Sequence, residues 1–178
     1  VVDLIGPVLY TLFILATGGE RIGELITSKR HAAWAFERGG VESGRGHFPW
    51  MVALHTGLLV GCLAEVWLLD RPFIPWLGWP MFVIAIACQA GRIWIIRSLG
   101  NQWNTRVIVV PGMPLSRRGP YRWKRLRHPN YVLVAVEGIA LPLIYTGWIT
   151  ALVFTVLNAI LLLGFRIPAE DRALTAAG

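Results

Sequence analysis

Sulfur and charge are both scarce in this sequence. Two of its 178 residues are cysteines, and 15% are charged. Cys62 and Cys88 lie apart inside apolar runs, with no CxxC pattern. This excludes a disulfide-stapled scaffold and a cysteine-based metal or redox centre. Both are read as small buried hydrophobes, and no metal site is expected. Acid is scarcest of all: ten Asp and Glu face 17 Lys and Arg, for a formal net charge of +7. The cations alternate with long apolar runs and no nucleic-acid-binding motif is visible, which argues against nucleic acid as the partner. Anionic lipid at the inner face of a membrane is the better match.

Hydrocarbon is what the chain has in quantity. Its residues are 55% hydrophobic, with a mean hydropathy of +0.56. The length fits a single domain. A spanning helix needs about 20 apolar residues. The runs Val1–Thr17, Trp50–Leu69 and Phe73–Ile96 each approach or exceed that length. The first has no basic start, and Asp3 is its first charge, so it reads as a span and not as a cleaved signal. Val132–Phe165 is too long for one span, and Pro142 with Gly147 divides it into a helical hairpin. The expected fold is therefore an all-α integral membrane protein with five spans, three in residues 1–97 and a hairpin over 131–165 within 98–178. The segment from about 20 to 38 carries Ile22, Leu25, Ile26, Ala33 and Trp34 on one helical stripe. It is expected to form a separate interfacial helix, closed by Gly39-Gly40, with "VESGRGHF" as a loop after it.

Lys and Arg cluster in three segments: Arg21 to Arg45, Arg97 to Arg127, and Arg166 with Arg172. Five spans place all three on one side. The positive-inside rule puts that side in the cytoplasm and the N-terminus outside, as in a bacterial inner membrane. Within the second segment, "RVIVVPG" reads as a short extended run closed by a turn. "RRGPYRWKRLRHPNY" follows, held out of regular helix by Pro120 and Pro129.

A hairpin brings its ends together, so His128, Asn130 and Tyr131 at its entry share a cytoplasmic collar with Arg166, Glu170, Asp171 and Arg172 at its exit. The Pro-fixed helix start offers free N–H groups to an anionic group. Tyr121, Trp123 and Tyr131 suit a planar ring. From the residues alone, a ligand site and a basic collar resting on lipid are equally supported. Glu137 is an acid at membrane depth, hence a functional candidate by default. A hydrogen bond to Asn158 is its structural alternative. His55, one turn into the second span, and Gln89 and Arg92 are further polar groups at that depth. Glu65 reads as structural.

"GPYRWKRLRHPNY", an apolar hairpin and "RIPAEDRAL" together resemble the isoprenylcysteine carboxyl methyltransferase family of integral-membrane enzymes. The text "GERIGELITSKRHAAWAFERGGVESGRGHFP" is similar to the bacterial subgroup found with type III polyketide synthases, whose members O-methylate alkylpyrones. The resemblance implies S-adenosylmethionine as cofactor, with S-adenosylhomocysteine as product, bound over the C-terminal half at the cytoplasmic face. It assigns cofactor binding to Gln102 and Trp103, to Gly119, Pro120 and Tyr121, and to Arg127, His128, Pro129, Asn130, Tyr131 and Glu170. Catalytic candidates are Arg127, Glu137, Arg166, Glu170 and His55, with Arg172 a further cation for an oxyanion. The chain departs from the family pattern in a longer Tyr121–Arg127 spacing and in Pro168. The expected acceptor is a lipophilic, acidic small molecule such as an alkylpyrone or an alkyl or prenylated carboxylate. The alternatives are a lipid amine N-methyltransferase, a sterol-reductase-like NADPH enzyme and a non-enzymatic membrane scaffold.

Overall fold

The computed structural model describes residues 4–114, 116, 118–122 and 128–177. Six helices carry the chain: α1 (Ile5–Phe36), α2 (Phe48–Leu68), α3 (Pro75–Leu99), α4 (Pro129–Leu143), α5 (Trp148–Leu161) and α6 (Ile167–Ala177). Two three-residue strands, β1 (Val41–Ser43) and β2 (Val107–Val109), pair antiparallel with Val41 opposite Val109 and Ser43 opposite Val107. The extended run at "RVIVVPG" is thus present as β2. "VESGRGHF" is not wholly a loop, because its first three residues form β1. The ladder ties the chain after α1 to the chain after α3.

Proline and glycine set the helix ends. Pro75 and Pro129 open α3 and α4 at the position where a missing N–H costs nothing. Gly39, at φ +76°, closes α1, and the Gly40 N–H turns back onto the Ala35 carbonyl at 2.9 Å. At the hairpin tip the Gly147 N–H bonds the Pro142 carbonyl at 2.8 Å. After α5 the helix does not stop. Leu162–Arg166 form a π turn that runs into α6, so residues 148–176 make one helical stretch of 29 residues. Pro168 follows directly. A proline in a helix interior lacks the N–H and collides with the carbonyl four residues back. The widened π turn stands where that collision would fall, so Pro168 is accommodated without breaking the helix.

The expectation of an interfacial helix at about 20–38, separate from the first span, is corrected. α1 is one uninterrupted helix of 32 residues. Its apolar stripe also faces the opposite way to the one a water-facing helix would choose: Ile22 and Ile26 are 61% and 52% exposed, whereas Glu24 is 7% exposed and Ser28 and Ala32 are buried. Polar groups turn inward here because neighbouring helices satisfy them, and apolar groups turn outward as lipid demands.

The core lies toward the hairpin-tip end of the bundle, where Tyr10 and Ile14 of α1 meet Leu58 and Cys62 of α2, Ala85 of α3, and Val134, Leu141 and Phe154 of the hairpin. Tyr10 donates to the Leu141 carbonyl at 2.9 Å. Glu65 accepts from the Thr150 N–H at 2.5 Å and from Arg71 at 3.0 Å, clamping the hairpin tip to α2. Cys62 and Cys88 are free and buried. Leu12, Val60, Leu157, Ile160 and Leu163 are exposed. Such a belt marks a membrane surface. Three stretches, 45–68, 75–102 and 148–176, are long and apolar enough to cross a bilayer.

Gly138 on α4 touches the Phe154 ring of α5 so closely that a Cβ there would overlap it. Gly138→Val is expected to lower unfolding free energy by about 1–3 kcal/mol, the cost of overpacking. Phe154→Ala, destabilising alone, should recover part of that loss when combined with it. Additive losses in thermal unfolding of the double variant would refute the contact.

Candidate functional site

Two features converge at the half of the bundle away from the hairpin tip, a buried charge network and a pair of cavities. The network joins α1, α3 and α4. Arg21 donates to Glu24 at 2.8 Å, to Gln89 at 2.8 Å and to Glu137 at 2.5 Å. Arg92 grips Glu24 through two bonds of 2.8 and 2.7 Å, and Gln89 donates to Glu137 at 2.8 Å. Two cations and two anions balance within the network. Glu137 therefore takes Arg21 and Gln89 as partners, and the expected bond to Asn158 is absent among the described residues. Arg92 Nη1 stands 3.8 Å from Glu137 and makes no hydrogen bond.

Below this network α1 is sewn to the chain after α3. Ser28 donates to the Asn104 side chain at 2.7 Å and accepts from the Thr105 N–H at 3.0 Å. His31 Nδ1 donates to the Trp103 carbonyl at 2.8 Å. Gln102 spans the following loop, donating to the Pro114 carbonyl at 3.0 Å and accepting from the Ser116 N–H at 3.1 Å. Gly119, at φ +57°, packs against Ser98 and Trp94 with no room for a Cβ. It positions Pro120, which is buried, and Tyr121 beside it. Burial pushes the Tyr121 phenol up from its ordinary value, so it stays a neutral hydroxyl.

The first cavity, about 380 Å³, is the more polar of the two and lies over the start of α4. Gln102, Trp103, Tyr121, His128, Asn130, Tyr131, Arg166, Glu170 and Asp171 all reach its wall. His128 stacks on Tyr131 with ring centres 5.4 Å apart. Its two nitrogens stand 3.7 Å from Glu170 and 3.6 Å from Asp171. Tyr131 donates to Glu170, the expected entry–exit contact. The second cavity, about 560 Å³, opens between α1 and α2. Ile14, Leu15, Leu59 and Leu63 are among its apolar lining, and His55, Arg92 and Asn158 among its polar lining. Trp103, Asn104, Asn130, Tyr131 and Arg166 belong to both cavities.

Arg166 is the hinge of this arrangement. It is buried and donates to the Thr105 carbonyl at 2.9 Å and to the Met51 sulfur at 2.8 Å, with its guanidinium 5.6 Å from the Tyr131 ring. No carboxylate pairs with it among the described residues. A desolvated cation without a counter-charge is an anion site in waiting.

The remaining candidates fall as follows. His55 bonds the Met51 carbonyl through Nδ1 at 2.8 Å and meets Phe154 edge-on. Pro129 is buried at the helix start and lines neither cavity. Glu137 also lines neither, which places it in the scaffold of the site. Arg172 is exposed and bonds the Pro168 carbonyl at 3.0 Å, away from both cavities. Trp123 and Arg127 lie outside the described residues. Among those described, no cluster of His, Cys, Asp and Glu is arranged to hold a metal. Sequence reasoning missed Arg21, Glu24, Ser28, Asn104 and Thr105. The signal was present on α1, where Arg21, Glu24, Ser28 and His31 recur at helical spacing along one face.

The polar cavity fits S-adenosylmethionine by its donor set. Its carboxylates suit the cofactor's hydroxyls and ammonium, and its aromatic rings suit a purine. The His128 Nδ1 atom, buried without a hydrogen bond, leaves a polar contact to be made. Comparisons with known proteins agree. Residues 81–176 match the model of the isoprenylcysteine carboxyl methyltransferase family. The chain is also 35% identical over 167 residues to "Uncharacterized protein YpbQ" of Bacillus subtilis, covering 93% of this chain and 96% of that one. No solved structure matches.

The charge network makes a prediction about stability. Glu24→Gln should destabilise more than Glu137→Gln, because Glu24 alone carries the two-bond contact to Arg92. Losses of about 3–5 kcal/mol and about 1–2 kcal/mol are expected, the first typical of breaking a buried pair and the second of a polar coupling in a membrane. Chemical unfolding in detergent checks the order. Equal losses would mean that the network is not built as described.

Proposed function

We propose a function from one premise: the chain belongs to the isoprenylcysteine carboxyl methyltransferase family. It is an integral-membrane enzyme that uses S-adenosylmethionine as methyl donor. That premise sets aside the reductase and scaffold readings. Our reading of the reaction is O-methylation of a lipophilic, acidic acceptor, of which an alkylpyrone or an alkyl carboxylate is the type. One observation carries it: a polar cavity and a lipid-facing cavity share a wall that contains an uncompensated cation, Arg166.

When bound, S-adenosylmethionine supplies a methyl group that passes to the acceptor oxygen while its sulfur keeps the bonding electron pair. The chain's own residues hold and orient. His128, Tyr131 and Glu170 would hold the cofactor in the polar cavity, with Tyr121 and Trp103 against its ring and Asn130 at the junction. Arg166 would stabilise the acceptor as its oxyanion, the reactive form. An acidic hydroxyl or carboxylic acid loses its proton readily in water, so no strong base is required. Alignment and exclusion of water then account for the rate. The alkyl part would lie between α1 and α2, reached sideways from the bilayer. An amine acceptor is disfavoured, because it would meet a cation at the junction.

We place the collar in the cytoplasm, with the N-terminus outside and α1 and α4 completing five spans, on the strength of the Lys and Arg asymmetry. α4 has 15 residues, roughly 22 Å of helix, so its start sits below the headgroups where the two cavities meet. Leu69 is exposed between α2 and α3, and Gly46 has open space around it. In a Cys62→Ala, Cys88→Ala background, Leu69→Cys should react with an impermeant thiol reagent from outside and Gly46→Cys only after cell lysis. The reverse pattern would invert the topology.

For the site itself, His128→Ala should weaken S-adenosylhomocysteine binding about tenfold by calorimetry, a loss of ~1.4 kcal/mol. Arg166→Gln should leave that affinity within a few-fold and lower kcat/KM for an alkylpyrone at least about tenfold. Unchanged turnover in Arg166→Gln would end the oxyanion role.

A further inference from the structure

A third cavity, about 620 Å³, lies between α2 and α5, on a flank that methyl transfer does not use. Its floor is deep, since Leu58, Phe154 and Leu161 are buried. Its rim is exposed at Trp50, Val153, Leu157 and Phe165. Glycine shapes it. At Gly61 a Cβ would collide with the Thr150 side chain, so α2 and α5 touch there and the slot closes toward the hairpin tip. At Gly57 a Cβ would meet nothing, so the slot is open along that turn. From Trp50 to Gly61 it runs about 16 Å along α2, close to the length of a lipid acyl chain. A slot between two touching helices is too narrow for a third helix, which is about 10 Å across with its side chains.

A cation stands beyond the open end. Phe165, at that end, and Arg172 belong to the same helical stretch, 148–176. Seven residues bring a helix back to nearly the same face. Arg172 is exposed, and its Nε donates to the Pro168 carbonyl, which folds the guanidinium back toward Phe165. No carboxylate pairs with it among the described residues. We propose that the α2–α5 slot binds one phospholipid of the surrounding bilayer, with an acyl chain along Gly57 and an anionic headgroup at Arg172. An apolar slot that ends at an unpaired cation is complementary to such a molecule at both ends. A lipid without net charge would fill the slot and leave Arg172 unanswered. Leu161 lines both this slot and the cavity between α1 and α2, so the bound chain would back a wall of the reaction site. The inference stands on the membrane character of the chain and is independent of which acceptor is methylated.

Native mass spectrometry of the purified full chain in detergent tests this, with palmitoyl-oleoyl phosphatidylglycerol in one arm and the matching phosphatidylcholine in the other. The wild type should retain one phosphatidylglycerol per chain, at least about fivefold more tightly than phosphatidylcholine, the contribution of one cation beside an anionic headgroup. Arg172→Gln should bring that ratio near one. Gly57→Leu, whose side chain would fill the slot, should lose both lipids. Val83→Leu, at an exposed position on α3 outside the slot, should lose neither. Thermal unfolding gives a second reading, because a ligand of the folded state raises its melting temperature. Phosphatidylglycerol should raise it in the wild type and leave it in place in a folded Gly57→Leu. Equal retention of the two lipids by the wild type overturns the inference without recourse to any variant. So does phosphatidylglycerol held undiminished by a folded Gly57→Leu or Arg172→Gln. A lipid-free dimer in place of the lipid-bound chain would assign the slot to a second copy and overturn it equally.

Discussion

The pairing of Glu24 with Arg92 is the constraint from which the half of the molecule away from the hairpin tip follows. In hydrocarbon a charge must be answered within the protein. Glu24 is reached by Arg92 from α3 and by Arg21 from its own helix, and Arg21 in turn reaches Glu137 on α4. Three helices are thereby fixed in rotation as well as position. The polar face of α1 must point inward, which keeps α1 continuous through Gly18, Gly19 and Gly23. It also brings Ser28 and His31 down onto residues 103–105. The floor of the polar cavity and the upper wall of the lipid-facing one are set by that contact.

The two cavities meet where this scaffold stops and Arg166 begins. The polar cavity is built from short, bonded segments: the loop held by Gln102, the β1–β2 ladder and the first turn of α4. The lipid-facing cavity is built from helix surfaces. Tyr131 and Arg166 belong to both because α4 starts, and the π turn ends, at the same level.

The hairpin, its tip and the meeting of His128 with Glu170 were legible in the sequence because each depends on a local signal: Pro129, Pro142 with Gly147, and an antiparallel return. That Tyr131 and Glu170 share one site followed from topology, and their hydrogen bond came only with the structure. The partner of Glu137 was not legible. Counting steps along a hairpin gives only depth, and Asn158 lies at a similar depth, but rotation about the helix axis decides contact. That rotation is set by α1, which is distant in sequence. α1 itself was misread by carrying over the rule for helices in water, where the apolar stripe faces the protein. In lipid the stripe faces out, and Arg21, Glu24, Ser28 and His31 form the informative side. β1 was hidden because three residues between glycines carry too little pattern to stand apart from a loop.

The π turn at Leu162–Arg166 has a consequence for how this sequence can change over time. Each residue of an α-helix turns the chain by about 100°, and a π turn absorbs one surplus residue. Losing any single residue from that stretch would restore plain α geometry and swing the residues beyond it around the axis, taking Glu170 away from Tyr131 while leaving the hydrophobic length of the helix intact. Substitutions at the exposed Leu163 and Phe165 exchange one apolar surface side chain for another, but a deletion there breaks the phase between the two ends of the hairpin. Length in this stretch is therefore held more strictly than composition, the reverse of what an exposed apolar segment ordinarily shows.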